Sequence, residues 1–138
     1  MTLQRVRPLI GRQYALGHDG IDSDHFAIAD WWLRTVTCEP IQFAFFVARL
    51  TKLMQMHFDH EALLMQEAGS QMCECHRQEH RVLLSLCDQA TALGRAHLKT
   101  ARSLLRTKFP KLIREHIISM DQLTVLFIKS HGNIAAVC

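Results

Sequence analysis

Apolar residues recur at helical spacing along most of the chain, and prolines and glycines divide this pattern into four segments. The first segment follows Gly20 and ends before Pro40, because a residue that precedes proline disfavours helical geometry. Its inward positions lie four or seven residues apart, at Ile21, Ile28, Trp32 and Val36. We predict a first helix here, with Asp22 or Ser23 as its N-cap.

The same pattern predicts three further helices. The second runs from Pro40, which is tolerated at the first position of a helix, to a stop at Gly69. The third covers about residues 71–93 and the fourth about residues 98–130. Pro110 lies inside the fourth helix, where it removes a backbone donor, so we expect a kink or a restart of the helix there.

These helices define the fold class. Their connections are short, and no segment shows the alternation that is typical of a strand. We therefore predict an all-α, antiparallel up-down-up-down four-helix bundle over residues 21–138. Residues 1–20 lack helical periodicity and contain a proline and several glycines, so we predict an N-terminal extended arm.

Composition and charge exclude several classes of function. Apolar residues make up 49% and charged residues 21% of the 138 residues, which is the balance of one globular domain. The net charge of +3 is too small to argue for nucleic acid, and no run of Lys or Arg forms a basic stripe, so we expect no nucleic-acid partner. No apolar run is long enough for membrane insertion. Because there is no secretory signal and the five cysteines are odd in number, we expect free thiols and a cytoplasmic location.

Histidine, a common metal ligand, occurs nine times in this small domain. Two pairs stand out in HFDHEALLMQEAGSQMCECHRQEH, residues 57–80: His57 with Glu61, and His76 with His80. The members of each pair are four positions apart, so their side chains share one face of a helix. One such pair alone is a weak sign of a metal site, since it also suits a charged, solvated helix surface.

The first and fourth helices add three residues of the same kind. His25 lies among the inward apolar positions of the first helix, and His116 and Asp121 lie about 1.4 turns apart on the fourth. Seven such side chains at the bundle axis would be costly to bury without a cation. Their number suits two six-coordinate ions that share the carboxylates. Iron fits this set better than zinc, which usually takes four ligands and often uses cysteine.

Four short motifs carry a resemblance to a known family. They are IDSDH in the first helix, HFDHE followed by Met65 in the second, HRQEH in the third and HIISMD in the fourth. Together they resemble the hemerythrin family, and within it the single-domain bacterial form, bacteriohemerythrin, over about residues 21–130. The resemblance implies the same four-helix architecture and a non-haem di-iron centre.

The resemblance also assigns roles to the seven residues. The residues implied for one coordinatively saturated iron are His76, His80 and His116. The residues implied for the second iron, which keeps an open position, are His25 and His57. The bridging carboxylates, beside an oxo or hydroxo group, are Glu61 and Asp121.

The function that the resemblance implies is reversible binding of dioxygen for storage, delivery or buffering, without enzymatic turnover. A histidine-rich shell agrees with this, because it stabilises high-valent iron less than the carboxylate-rich shell of di-iron oxidases does. Two alternatives stay open. One is an oxygen- or redox-sensing module that acts on a partner protein in trans, and the other is a di-iron enzyme acting on peroxide or nitric oxide. A recipient of the oxygen would likewise be a separate protein.

Residues around the centre are expected to set its access. The resemblance places four apolar residues along the ligand pocket, namely Ile28, Phe58, Leu112 and Ile113. The chain departs from the family close by: Leu112 stands where tryptophan is common, Ala62 replaces a glutamate, and Ser70-Gln71 replaces Tyr-Pro. His60 lies about 60° around the helix from His57, and we expect it at the boundary with solvent.

Overall fold

The computed structural model describes residues 8–130 of the chain, and in this part the fold is helical, with no strand. The helices are α1 (Asp19–Thr37), α2 (Phe43–Glu67), α3 (Glu74–Leu93), α4 (Leu98–His116) and α5 (Gln122–Lys129). A π-helical turn, Ile117–Asp121, joins α4 to α5, so that these three elements form the fourth helix of the bundle. The predicted all-α four-helix bundle is confirmed. Residues 1–7 of the predicted arm and residues 131–138 of the predicted bundle lie outside the described residues.

Helices that follow one another along the chain pack together. α1 contacts α2, α2 contacts α3, α3 contacts α4, and α1 also contacts α4. The connections between them are short, at residues 38–42, 68–73 and 94–97. Short connections between contacting helices suit the antiparallel order that the sequence predicts.

The start of α1 differs from the prediction. The helix begins at Asp19, and its N-cap is His18 rather than Asp22 or Ser23. The Nδ1 of His18 accepts a hydrogen bond from the backbone N–H three residues later, at 3.1 Å. The carboxylate of Asp22 instead accepts from two backbone N–H groups that precede the helix, at 2.8 and 3.0 Å. Asp22 therefore braces the turn into the helix, and a histidine ring nitrogen takes the capping position.

The second and third helices begin three residues later than predicted. Pro40–Gln42 forms a 3-10 turn, and α2 begins at Phe43. α3 begins at Glu74. Both helices end near glycines of positive φ, Gly69 at 93° and Gly94 at 56°, a backbone conformation that glycine adopts without strain.

Of the two alternatives predicted at Pro110, a kink or a restart of the helix, the restart is wrong, because α4 runs through this residue without interruption. Pro110 is itself buried, and Leu105, Phe109 and Ile113 on either side of it are at most 1% exposed. Burial of these side chains in the core holds both halves of the helix in register, although one backbone hydrogen bond is lost. The irregular turn of the fourth helix lies further on, at Ile117–Asp121.

The described part of the arm packs against the bundle. Leu9 and Ile10 are buried, and Leu9 belongs to the hydrophobic core. The guanidinium of Arg114, on α4, donates hydrogen bonds to the backbone carbonyls of Leu9 at 2.7 Å and Pro8 at 2.9 Å. An apolar contact and a charged donor thus tie this segment to the fourth helix.

No helix in the described part of the chain is both long and apolar enough to cross a membrane.

The prediction of free cysteines is confirmed only in part. Cys38, Cys75 and Cys87 are free thiols, as predicted, whereas Cys73 is disulfide-bonded, so that the prediction is wrong for Cys73. A count of cysteines does not reveal which sulfur atoms approach each other in the fold.

Replacing Arg114 tests how the arm is held. Arg114→Ala should lower the free energy of unfolding by about 1.5 to 3 kcal/mol, the usual contribution of a hydrogen bond made by a charged group. It should also speed proteolysis of the segment before α1. Arg34→Ala is the control, since Arg34 pairs with Asp30 where both side chains are more than half exposed, and it should change stability by less than about 0.5 kcal/mol. Equal urea midpoints and cleavage rates for the two variants would contradict this account.

Candidate metal centre

The fold brings all seven predicted ligand residues together, and every one of them is buried. Their donor atoms form two groups, and the atoms of each group lie within 4.8 Å of one another. The first group, called here the five-donor group, consists of Glu61, His76, His80, His116 and Asp121. The second, the four-donor group, consists of His25, His57, Glu61 and Asp121. Both carboxylates belong to both groups.

Regular helix geometry positions the residues of α2 and α3. His57 and Glu61 are one turn apart, and the Nε2 of His57 lies 2.5 Å from the Oε1 of Glu61. His76 and His80 are also one turn apart, with ring centroids separated by 4.5 Å. The spacing of four residues in the sequence is therefore sufficient to place these two pairs.

A π-helical turn positions the pair in the fourth helix. His116 and Asp121 are five residues apart, which in an α-helix would turn the second side chain about 140° away from the first. Ile117–Asp121 forms a π turn, whose hydrogen bonds span five residues, and this brings Asp121 back to the face of His116. The Nε2 of His116 consequently lies 2.9 Å from the Oδ1 of Asp121. We predicted that both side chains lean inward, but the sequence did not reveal this turn.

Each carboxylate divides its two oxygens between the two groups. The Oδ2 of Asp121 lies 2.8 Å from the Nε2 of His25, whereas its Oδ1 lies 3.3 Å from the Nε2 of His76. The Oε1 of Glu61 lies beside His57, whereas its Oε2 lies 3.1 Å from the Nε2 of His76. Glu61 and Asp121 therefore stand between the groups, one oxygen toward each.

Several of these atoms have no hydrogen-bond partner within the described part of the chain. They are both oxygens of Glu61 and the Nε2 atoms of His80 and His116, and all four atoms are buried. The Nε2 of His116 is close to Asp121, but the two groups are not aligned as donor and acceptor. A buried polar group without a partner costs about 1 to 3 kcal/mol. A cation among these atoms would satisfy them, so the donor set fits a metal ion.

The outer nitrogens of three histidines have partners that the sequence reasoning missed. The Nδ1 of His57 lies 3.0 Å from Asp24 Oδ2, and the Nδ1 of His116 lies 2.9 Å from Glu79 Oε1. The Nδ1 of His76 lies 3.4 Å from Thr124 Oγ1. Such partners fix the ring orientation and leave Nε2 available to a metal.

The positions of the two outer carboxylates in the sequence conceal their roles. Asp24 and Glu79 each directly precede a ligand histidine, His25 and His80. Adjacent residues on a helix point about 100° apart, so each carboxylate contacts a histidine of another helix instead. His60 lies at the boundary with solvent, as expected, and 36% of its side chain is exposed. Its Nδ1 also lies 2.7 Å from the Oδ2 of Asp24.

The charges in the centre shift several pKa values. Burial lowers the pKa of His76, but the hydrogen bond to Asp121 and the nearby negative charge of Glu61 outweigh it and raise the pKa to about 9. Burial likewise opposes protonation of His57 and His116, and the carboxylates still raise the pKa of each. His80 differs, because burial and the neighbouring histidines lower its pKa to about 2. Protons therefore compete with a cation for this centre.

The four residues predicted to line a ligand pocket lie in or against the core. Ile28, Phe58 and Ile113 are buried in it, and Leu112 is partly buried against it. The ring of Phe58 stacks on that of His80 with centroids 3.7 Å apart and planes inclined by 10°. Phe58 thus touches the centre directly.

A cavity of about 550 Å³ opens beside this stack, between α2 and α3. Its lining includes Phe58 and His80, and also Ala62, Ser70 and Gln71, where the sequence departs from the hemerythrin pattern. These three residues therefore form part of the surface next to the five-donor group, and none of them belongs to the seven predicted ligand residues.

The raised pKa values predict how the stability of metal-free protein depends on pH. A histidine whose pKa is raised on folding stabilises the fold fully below its unfolded value of 6.5, and this stabilisation is lost as the pH rises through the folded value. Protein stripped of metal by a chelator should therefore lose stability between pH 6.5 and 9. One pKa unit corresponds to about 1.4 kcal/mol, so His76 alone accounts for up to roughly 3 kcal/mol.

Urea unfolding at several pH values measures this slope. His76→Gln should flatten it, whereas His97→Gln, at an exposed position between α3 and α4, should leave it as in the wild type. The prediction is wrong if metal-free wild type is equally stable at both ends of the range.

The described geometry defines a buried cluster of five imidazoles and two carboxylates that could hold a metal ion. Comparisons of the chain with models of protein families, with curated proteins and with solved structures find no match. The chemistry of the site is therefore inferred from the chain's own residues and their geometry.

Proposed function

We propose that this chain binds dioxygen reversibly at a pair of non-haem iron ions and serves in oxygen storage, delivery or buffering. The observation that carries the proposal is the sharing of Glu61 and Asp121 between the five-donor and four-donor groups, with one oxygen of each carboxylate toward each group. Two carboxylates shared in this way suit two neighbouring ions, because a single ion would be bound by the donors of only one of the two groups.

The chemical nature of the donors favours iron. Five imidazole nitrogens and two carboxylates suit a six-coordinate ion of intermediate softness. Zinc usually takes four ligands and often includes cysteine, and neither group contains a cysteine. His76, His80 and His116 would hold one iron, His25 and His57 the other, and the two carboxylates would serve both.

The unequal number of donors supports an exchangeable position on one side. A six-coordinate ion in the five-donor group would be nearly saturated by the protein, whereas one in the four-donor group would keep more room for an external ligand. When bound, the iron pair would supply the reversible electron exchange with dioxygen that amino-acid side chains lack.

The chain itself contributes a dry environment of low negative charge. Ile28 and Ile113 are 1% exposed and Phe58 is 4% exposed, so apolar groups keep water away from the centre. Exclusion of water suppresses side reactions such as loss of a protonated product. Only two of the seven candidate ligand residues are carboxylates, which disfavours the high oxidation states that di-iron oxidases use. Both features favour binding over turnover.

Anaerobic reduction followed by exposure to air tests the proposed function. Iron-loaded protein should contain about two irons per chain and develop a visible charge-transfer band in air that disappears when oxygen is removed. Rapid irreversible oxidation together with catalytic consumption of hydrogen peroxide would overturn the carrier function in favour of an enzyme. A chain that takes up no iron would overturn both.

Removal of a shared carboxylate should affect both ions together. Glu61→Ala or Asp121→Ala should leave well under one iron per chain after reconstitution, because each takes a ligand from both groups. Glu67→Ala is the control, since Glu67 is exposed at the end of the same helix as Glu61 and should retain both irons. Metal analysis measures the content, and circular dichroism verifies that the variants are folded. Retention of both irons in either ligand variant would refute the shared role.

A further inference from the structure

We propose that Asp24 is a positioning residue for the four-donor group: its carboxylate holds the ring of His57 with Nε2 toward the metal. His60 in turn holds Asp24 in place. The inference rests on the metal centre of the proposed function and adds residues that lie outside the seven ligands. Its basis is a chain of hydrogen bonds from the surface to the centre.

One oxygen of Asp24 links two rings of another helix. Asp24 Oδ2 lies 3.0 Å from His57 Nδ1 and 2.7 Å from His60 Nδ1. His57 and His60 are three residues apart on α2, about 60° around the helix, so one carboxylate on α1 can reach both. A proton on His57 Nδ1, donated to Asp24, leaves the lone pair of Nε2 for a metal.

The two groups differ in the number of such outer supports. In the five-donor group, His116 has Glu79 and His76 has Thr124 beside its Nδ1. In the four-donor group, the Nδ1 of His25 has no partner among the described residues. Among the described residues, the contact of His57 with Asp24 is thus the one outer hydrogen bond made by an imidazole of the four-donor group.

Asp24 is also accessible from outside, unlike the ligands. About 32% of its side chain is exposed, compared with 1% for His57. A cavity of about 250 Å³ adjoins it, lined by Asp24, Ala27, Leu53, Met56 and His60. Water can enter this cavity once the carboxylate is removed, so loss of Asp24 should weaken the position of His57 without unfolding the centre.

Anaerobic titration with Co²⁺, followed by absorption, tests the inference. Wild type should bind two Co²⁺ ions per chain. Asp24→Ala should weaken one binding step by about 10- to 100-fold, the usual effect of losing the partner of a ligand histidine, and leave the other step within about threefold. Asp24→Asn, which keeps one acceptor oxygen, should be weakened less than Asp24→Ala. His60→Gln should weaken the same step by a smaller factor.

Two comparison variants separate positioning from general destabilisation. Glu79→Ala should weaken the other step, because Glu79 supports His116 of the five-donor group. Asp30→Ala removes an exposed carboxylate from the same helix as Asp24 and should change neither step. In the Co²⁺ form, proton NMR should show one exchangeable imidazole N–H signal that disappears in Asp24→Ala and remains in Glu79→Ala.

The outcomes decide the inference and the proposed function separately. Equal weakening of both steps in Asp24→Ala, or no weakening, overturns the positioning role. Binding of a single Co²⁺ by wild type would count against the two-ion function; Asp24 would then be judged on whether its removal weakens that ion tenfold and removes the N–H signal. Two ions without a reversible oxygen spectrum would overturn the oxygen-carrier function alone.

Discussion

The structure depends on the burial of two carboxylates and five imidazoles at one level of a helical bundle. Glu61 and Asp121 have no exposed surface, and isolated charges in such a setting cost several kcal/mol each. Compensation must come from positive charge within the same few ångströms. In metal-free protein, the raised pKa of His57, His76 and His116 means that protons supply this charge. A metal ion would take over the same task and release those protons, so the centre carries positive charge in either condition.

Each helix meets this constraint with a different local device. α2 and α3 use the four-residue spacing, which needs only regular helix geometry. The fourth helix needs an extra residue between His116 and Asp121, and the π turn absorbs it without breaking the helix. α1 provides one ligand, His25, and places Asp24 beside it to support His57 across the interface with α2. The helices are therefore tied together through the centre as well as through the apolar core.

Most of the fold and the two ligand pairs of α2 and α3 could be predicted from the sequence, because both follow from the periodicity of a regular helix. The inward position of Asp121 was expected as well, but it depends on a π turn that this periodicity does not contain. The missed features depend on contacts between helices. The partnership of Asp24 with His57 requires the relative rotation of α1 and α2, and the continuous helix at Pro110 requires the burial of its neighbours, neither of which a local pattern contains. The prediction of the N-cap was wrong for a similar reason. Asp22 is a residue type that is preferred at an N-cap, but its carboxylate accepts hydrogen bonds from the turn before the helix.

The asymmetry between the two groups follows from where each lies relative to the packing around it. Phe58 lies flat on His80 and covers the five-donor group, whose outer nitrogens have partners on α3 and α5. The four-donor group has fewer protein donors and, within residues 8–130, one outer hydrogen bond, from His57 to Asp24. Asp24 in turn contacts the partly exposed His60. Under the two-iron proposal, the saturated side would act as a fixed anchor. Ligand exchange would then take place at the four-donor group, where the imidazole of His57 is held by Asp24 near the protein surface. Because Glu61 and Asp121 connect the two sides, a change of ligand on one would be transmitted to the other through the same two carboxylates.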